Sequence, residues 1–287
     1  MKKLVFTLAT CCIMCACEQK TETNPFFTEF RTEYGAPDFD KIKIEHYEPA
    51  FLKGIEEQNA EIKAIVESRE TPGFENTIVA LDNSGRTLAR VKGVFYALTE
   101  ADTNDEMSAL SEKIAPVLSE HNDNIYLNQD LYKRVAAVWQ QEQEGKITLT
   151  TEQHRLLDRY YKAFIRSGAG LDAGKQNRLR EINKELSTLA ITFSNHILNE
   201  NNAYRLVIDN EAELAGLPEW VKTGAAEEAK AVGKEGKWLF TLQNSSRLPL
   251  LQYADNRELR KDIYEAYINR GNNGDANDCL LYTSPSP

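Results

Sequence analysis

Residues 179–208 read "LREINKELSTLAITFSNHILNENNAYRLVI". Leu179, Ile182, Leu186, Leu189, Phe193 and Ile197 recur at intervals of 3, 4, 3, 4 and 4, which places them on one face of an α-helix. The spacing predicts a helix over roughly 172–200, long enough to serve as an axis of the domain. The apolar set is too short and isolated to demand a coiled-coil dimer, so a core helix is expected. Beyond it the pattern changes. "YRLVIDN" at 204–210 and "KWLFTLQN" at 237–244 read as short strands, with a helix-turn segment between them at 218–237. The fold class is therefore mostly α, with a minor short β element near 204–243.

Upstream, helix signals follow one another. Tyr47, Phe51, Ile55, Ile62 and Val66 form a stripe, with Pro49 in the tolerated first turn. "TPGFENT" at 71–77 breaks it, and Ile78, Leu81, Leu88, Val91, Phe95 and Leu98 form a second stripe with a weak point at Gly85. Thr103 and Glu106 have the spacing of a capping box, opening a helix through Met107, Leu110, Ile114 and Leu118 that Pro116 should kink. Asn128 is placed to cap a helix bearing Leu131, Val135, Val138 and Trp139. Thr150 with Gln153 is a further capping box, and Asp255 with Glu258 is expected to cap a last helix through Leu259, Ile263 and Tyr267.

The 287 residues, 41% hydrophobic and 27% charged, suffice for one large core or two domains. The net charge of −10 repels phosphate, so nucleic acid is excluded as an expected partner. Four of the five cysteines lie in the first seventeen residues, "MKKLVFTLATCCIMCAC". Basic Lys2 and Lys3 precede an apolar stretch from Leu4 to Ala16, too short for a mature membrane span and shaped like a signal peptide. "IMCAC" resembles a bacterial lipoprotein processing site. On that reading residues 1–16 are a lipoprotein signal peptide, Cys17 becomes the lipidated N-terminus, and the mature net charge is −12. A metal site built from the four cysteines explains the apolar run less well. Residues 17–38 read as a polar tether and 39–278 as the helical region.

Chemistry-bearing patterns are few. None of the histidines, His46, His121, His154 and His196, starts an HExxH. His196 and Glu200 stand one helical turn apart, but zinc needs at least three protein ligands, so a polar edge of the long helix is expected. Glu45, His46 and Glu48 sit at a helix start, where the dipole favours acids. "SGAG" at 167–170 reads as a helix-end turn, and "RGNNGD" at 270–275 lacks the Lys-Ser/Thr of a phosphate loop. Trp139, Tyr160 and Tyr161 fall on helical stripes, where packing is the default. These residues alone give no catalytic and no metal-binding assignment.

Several stretches nevertheless resemble the N-terminal half of the M3 family of zinc metallopeptidases, most of all its peptidyl-dipeptidase branch. They are "HYEPAF" at 46–51, residues 74–106, "IYLNQDLYKRVAAVWQ" at 125–140, residues 179–208, "ELAGLPEW" at 213–220 and residues 253–278, in order and at sensible spacing. The resemblance implies a neurolysin-like, mostly helical body whose two halves flank a deep channel. It implies one zinc per full-length chain, held by an HExxH helix and a later glutamate that lie in the C-terminal half and outside these residues. The metal would polarise the scissile carbonyl and activate water. The implied substrates are short unfolded peptides, and the branch is similar to enzymes that release C-terminal dipeptides. The expected whole protein is a lipid-anchored monomer of the cell envelope, facing the periplasm or outside, with these residues alone inactive. An internally cutting oligopeptidase of the same family and a non-catalytic helical ligand-binding surface lipoprotein are the alternatives; a purely structural envelope protein ranks below both.

The last nine residues, "CLLYTSPSP" at 279–287, carry no charge and two prolines. Written as codons they resemble a transposon-end sequencing adapter. The expectation is adapter read-through after Asp278, with Cys279 no redox site.

Overall fold

The computed structural model describes residues 24–279. Residues 1–16, Cys17 and the tail beyond Cys279 lie outside the described residues.

The architecture is mostly α, in two packed regions joined by one long helix. The first is built from α1 (Tyr47–Glu67), a π-helical turn (Phe74–Val79) running into α2 (Ala80–Asp82), α3 (Arg86–Ala101), α4 (Asp105–Tyr126), α5 (Gln129–Gln143) and α6 (Thr151–Arg166). Then α7 (Ala173–Ala203) spans 31 residues, about 46 Å at the ~1.5 Å rise of an α-helix. The second region holds β1 (Leu206–Ile208), α8 (Glu219–Ala231), β2 (Trp238–Phe240), α9 (Asn244–Tyr253) and α10 (Arg257–Ile268). β1 and β2 pair antiparallel, with Leu206 opposite Phe240 and Ile208 opposite Trp238. The β element therefore falls where the alternating apolar runs predict it. α9, with Pro249 inside, has no counterpart in the sequence reading.

Each region closes over apolar residues. Phe26, Tyr47, Phe51, Val91 and Phe95 form one cluster, in which Phe51 and Phe95 meet edge to face at 5.3 Å. Ile62, Ile78, Leu131, Val135, Leu157 and Phe164 form a second. Leu214, Phe240, Leu250 and Ile263 centre the third, in the C-terminal region. α1 and α3 cross closely because Gly54 has no side chain: a Cβ there would lie 2.8 Å from the Leu88 backbone.

Four expectations are corrected. Part of the stretch read as a tether is packed: Phe26 is fully buried against Tyr47, and its carbonyl accepts from Arg90 Nη1 at 2.9 Å. An aromatic side chain beside an apolar pocket gains more from burial than from remaining in water. The helix α4 is capped by Asn104, whose Oδ1 accepts from Met107 N at 2.9 Å, and not by Thr103. Asn ranks above Thr at this position, so the start shifts by one residue. The last helix is capped by Asn256 and not by Asp255, whose N–H is committed to Ala215 O at 2.8 Å. Finally, α7 is not a core helix. Its apolar stripe lies partly open, with Leu186 56% and Phe193 47% exposed, and Glu200 is its single buried residue. The helix packs along α4 on one side.

The other caps agree with the sequence. Asn128 accepts from Leu131 N at 2.9 Å, and Thr150 and Gln153 bond each other's backbone N–H in both directions. Pro116 lies inside α4 without interrupting it. "SGAG" ends α6: Gly168 has φ +90°, and Ala169 N returns to Phe164 O at 3.0 Å.

Candidate functional site

Three recesses surround α7 and the C-terminal region. The first lies where the end of α7 meets the loop after α10. Glu200 is 7% exposed; its Oε2 accepts from Gly271 N at 2.7 Å and from Asn273 Nδ2 at 3.0 Å. Arg270 donates to Asn201 Oδ1 at 2.9 Å and stacks over Tyr267, whose ring also carries Arg247 at 3.5 Å. A recess of about 330 Å³ opens here, lined by Glu200, Tyr204, Leu242, Asn273, Asp275 and Asn277. The Gly271 amide of "RGNNGD" is thus already taken by a carboxylate of the chain itself, which leaves it no role in phosphate binding. The expected polar edge at Glu200 is corrected: the side chain points inward, where the buried Gly271 N–H needs an acceptor.

The second recess is a groove of about 540 Å³ between α4 and α7, with Ser119, Asp123, Arg166, Leu179, Asn183 and Leu186 along it. Asp123 is 5% exposed and accepts from Asn183 Nδ2 at 2.7 Å; burial raises its carboxyl above the ordinary aspartate range. Arg180 to Asn124 and Asn195 to Glu112, each 2.8 Å, tie the two helices further along. The groove combines hydrogen-bonding groups with the open apolar side chains of α7. The third recess, about 170 Å³, is mainly apolar and lies between Trp220, Val221, Ala225, Leu239 and Phe240. Trp220 stands 61% exposed at its rim.

The remaining residues singled out in the sequence are structural. His46 Nδ1 accepts from Lys43 N at 3.0 Å at the entry to α1, and Lys113 reaches Glu48 at 2.7 Å. Trp139 and Tyr161 stack at 4.4 Å over the core. His196 faces Cys279 Sγ at 3.6 Å. No group of three or more His, Cys, Asp or Glu side chains among the described residues could hold a metal ion. The zinc implied by the family resemblance does not fit these residues: Glu200, one helical turn from His196, already binds two N–H donors through Oε2.

Sequence reasoning missed one organising residue. Arg134 is 8% exposed and donates to Ser68 O at 3.1 Å and Glu70 O at 3.3 Å. Asn76 Oδ1 accepts from Gly73 N at 2.8 Å in the same turn. Together they fix the break after α1. A lone arginine on an otherwise apolar helical face was the available signal.

The described residues thus form a helical frame with open grooves. Comparison with known proteins shows what the chain is similar to. The chain is 39% identical to a dipeptidyl carboxypeptidase of Escherichia coli over 258 residues, which cover 90% of this chain and 38% of that protein. It is 32% identical over 263 residues to oligopeptidase A of Salmonella typhimurium and 26% identical over 270 residues to an organellar oligopeptidase A of Arabidopsis thaliana, covering 92% of this chain in each case, and 38% and 33% of those proteins. Its homologues are thus dipeptidyl carboxypeptidase and oligopeptidase A, peptidases of the M3 family. The chain spans about 38% of the length of the first two of these relatives. No family model matches it.

Proposed function

We propose that these residues are the helical wall of a zinc-dependent metallopeptidase that acts on short unfolded peptides. The observation that carries this is the 39% identity to a dipeptidyl carboxypeptidase across 258 residues. The match extends over nine-tenths of the chain, so it takes in both helical regions and α7. The zinc and its general base would come from residues outside those described, since the described residues offer no donor set. The part played here is steric and polar: the α4–α7 groove and the Trp220 recess would frame an extended peptide.

Release of C-terminal dipeptides is the preferred mode, because identity to the dipeptidyl carboxypeptidase exceeds that to oligopeptidase A, 39% against 32%. Internal cleavage is the second reading, supported by that same 32% match. We further assign the protein to the cell envelope as a monomer anchored through a lipid on Cys17, on the strength of the "IMCAC" sequence. The test uses the full-length gene product and an N-terminally blocked octapeptide, with products read by mass spectrometry. Stepwise loss of two residues from the C-terminus, abolished by a chelator and restored by zinc, is expected. Internal cuts would shift the reading to an oligopeptidase. Absence of chelator-sensitive cleavage would overturn it. Labelled palmitate should enter the wild type and not Cys17→Ser.

A further inference from the structure

A fourth recess lies inside the first helical region, away from α7. It measures about 190 Å³ and is walled by α1, α2, α3, α4 and α6, with Gln58, Asp82, Lys92, His121, Asn122 and Tyr160 among its lining. The volume is far above the roughly 30 Å³ that one water occupies in the liquid.

Its hydrogen bonds fix the state of one histidine. Ser84 Oγ donates to Leu81 O at 2.8 Å and so accepts from Gln58 Nε2 at 3.1 Å. That turns Gln58 Oε1 toward His121 Nε2, 2.8 Å away. An amide oxygen only accepts, so Nε2 carries the proton and Nδ1 is a bare lone pair. His121 is 5% exposed, and Nδ1 has no hydrogen-bond partner among the described residues. Burial and the nearby Lys92 charge hold the imidazole below its usual titration range, which keeps that lone pair free at neutral pH. The geometry is deliberate at the backbone level too. Gly85 takes φ +72°, and a Cβ there would collide with the Gln58 amide at 2.4 Å.

Charged side chains also line the recess. Asp82 Oδ1 accepts from Tyr160 Oη at 2.8 Å and Arg159 Nη2 at 3.1 Å, leaving Oδ2 open among the described residues. Lys92 is exposed at the rim and enters no salt bridge among the described residues. A buried acceptor without a partner asks for an ammonium or similar donor, and the rim cation asks for an anion.

We propose that this recess binds a small zwitterion of free-amino-acid size, its ammonium donating to His121 Nδ1 and its carboxylate on Lys92. The site is independent of the peptidase reading. It is tested on the full-length protein by equilibrium dialysis with labelled alanine and, in parallel, alanylalanine, to tell a free amino acid from a dipeptide. One molecule bound per chain is expected, with acetate and ethylamine at least tenfold weaker. Lys92→Met, a surface change, should weaken binding at least tenfold while leaving the fold and peptide cleavage unaltered. The ¹⁵N resonances of His121 should shift with alanine while those of His46, His154 and His196 stay in place. No uptake, uptake indifferent to Lys92→Met, or an unmoved His121 would overturn the site and leave it a water-filled cavity. Binding without any peptide cleavage would retain the site and discard only the peptidase reading.

Discussion

Glu200 and Gly271 stand 71 residues apart in sequence, yet Glu200 Oε2 accepts the Gly271 N–H at 2.7 Å inside the molecule. This bond fixes the loop after α10 to the end of α7. It takes its strength from a charged acceptor in a buried setting, with Asn273 as second donor. Glu200→Ala leaves the buried Gly271 N–H without its partner and should cost about 1–3 kcal/mol in urea unfolding. Hydrogen exchange should rise at Gly271 and Asn273 in particular. A loss below about 0.5 kcal/mol would mean that the loop is held by other contacts.

Gly54→Ala addresses the crossing of α1 and α3. The added Cβ would approach the Leu88 Cα and N to 2.8 Å, and both are backbone atoms that cannot rotate away. The helices must separate, at an expected cost of about 1–3 kcal/mol in thermal or denaturant unfolding. Gly93, whose Cβ would meet nothing within 4 Å, provides the control: Gly93→Ala in the middle of α3 should stabilise slightly.

How far the sequence carried the reading depended on the range of the interaction. Every helix but α9, the two individual strands and the Asn128 and Thr150 caps are set by residues within a few positions of each other, and these were legible. The caps at Asn104 and Asn256 were displaced by one residue because two neighbouring capping side chains compete and tertiary contacts choose between them. The depth of α7 was illegible for a different reason. Periodicity reports which face is apolar and says nothing of what covers it. The burial of Glu200 and the recess at His121 likewise arise from partners 63 to 77 residues distant in the chain, such as Gln58 for His121 and Asp82 for Arg159.

The cap competition has a direct check. Asn104→Ala removes the acceptor for Met107 N and should cost about 1 kcal/mol. Thr103→Ala, one position outside the cap, should stay within about 0.5 kcal/mol of wild type. Equal losses at both positions would show that the two side chains share the cap in solution.

His121 gives stability a pH dependence whose sign follows from its surroundings. Its folded pKa is lowered from 6.5 by burial first and by the Lys92 charge second. Below about pH 6.5 the unfolded chain therefore binds a proton that the folded chain refuses. Stability should fall as pH drops through that value and level off once the folded imidazole also titrates. The groups facing it are Gln58, Asp82, Lys92, Asn122 and Tyr160. Urea unfolding at intervals from pH 7.5 to pH 5 should show the slope in wild type and a reduced slope in His121→Gln. Identical slopes would place the pH sensitivity elsewhere.

The exposed stripe of α7 makes the sharpest separation between pattern and packing. Leu186 and Phe193 complete the clearest apolar periodicity in the chain, yet they are 56% and 47% exposed. Leu131, on a less conspicuous helix, is fully buried. Leu131→Ala should therefore cost about 2–5 kcal/mol. Leu186→Gln and Phe193→Gln should each cost under about 1 kcal/mol, because little area leaves an apolar environment. Light scattering supplies the second readout. An open apolar stripe promotes self-association, so the two glutamine variants should scatter less than wild type at equal concentration. Large stability losses at Leu186 and Phe193 would show instead that the stripe is covered in the folded protein.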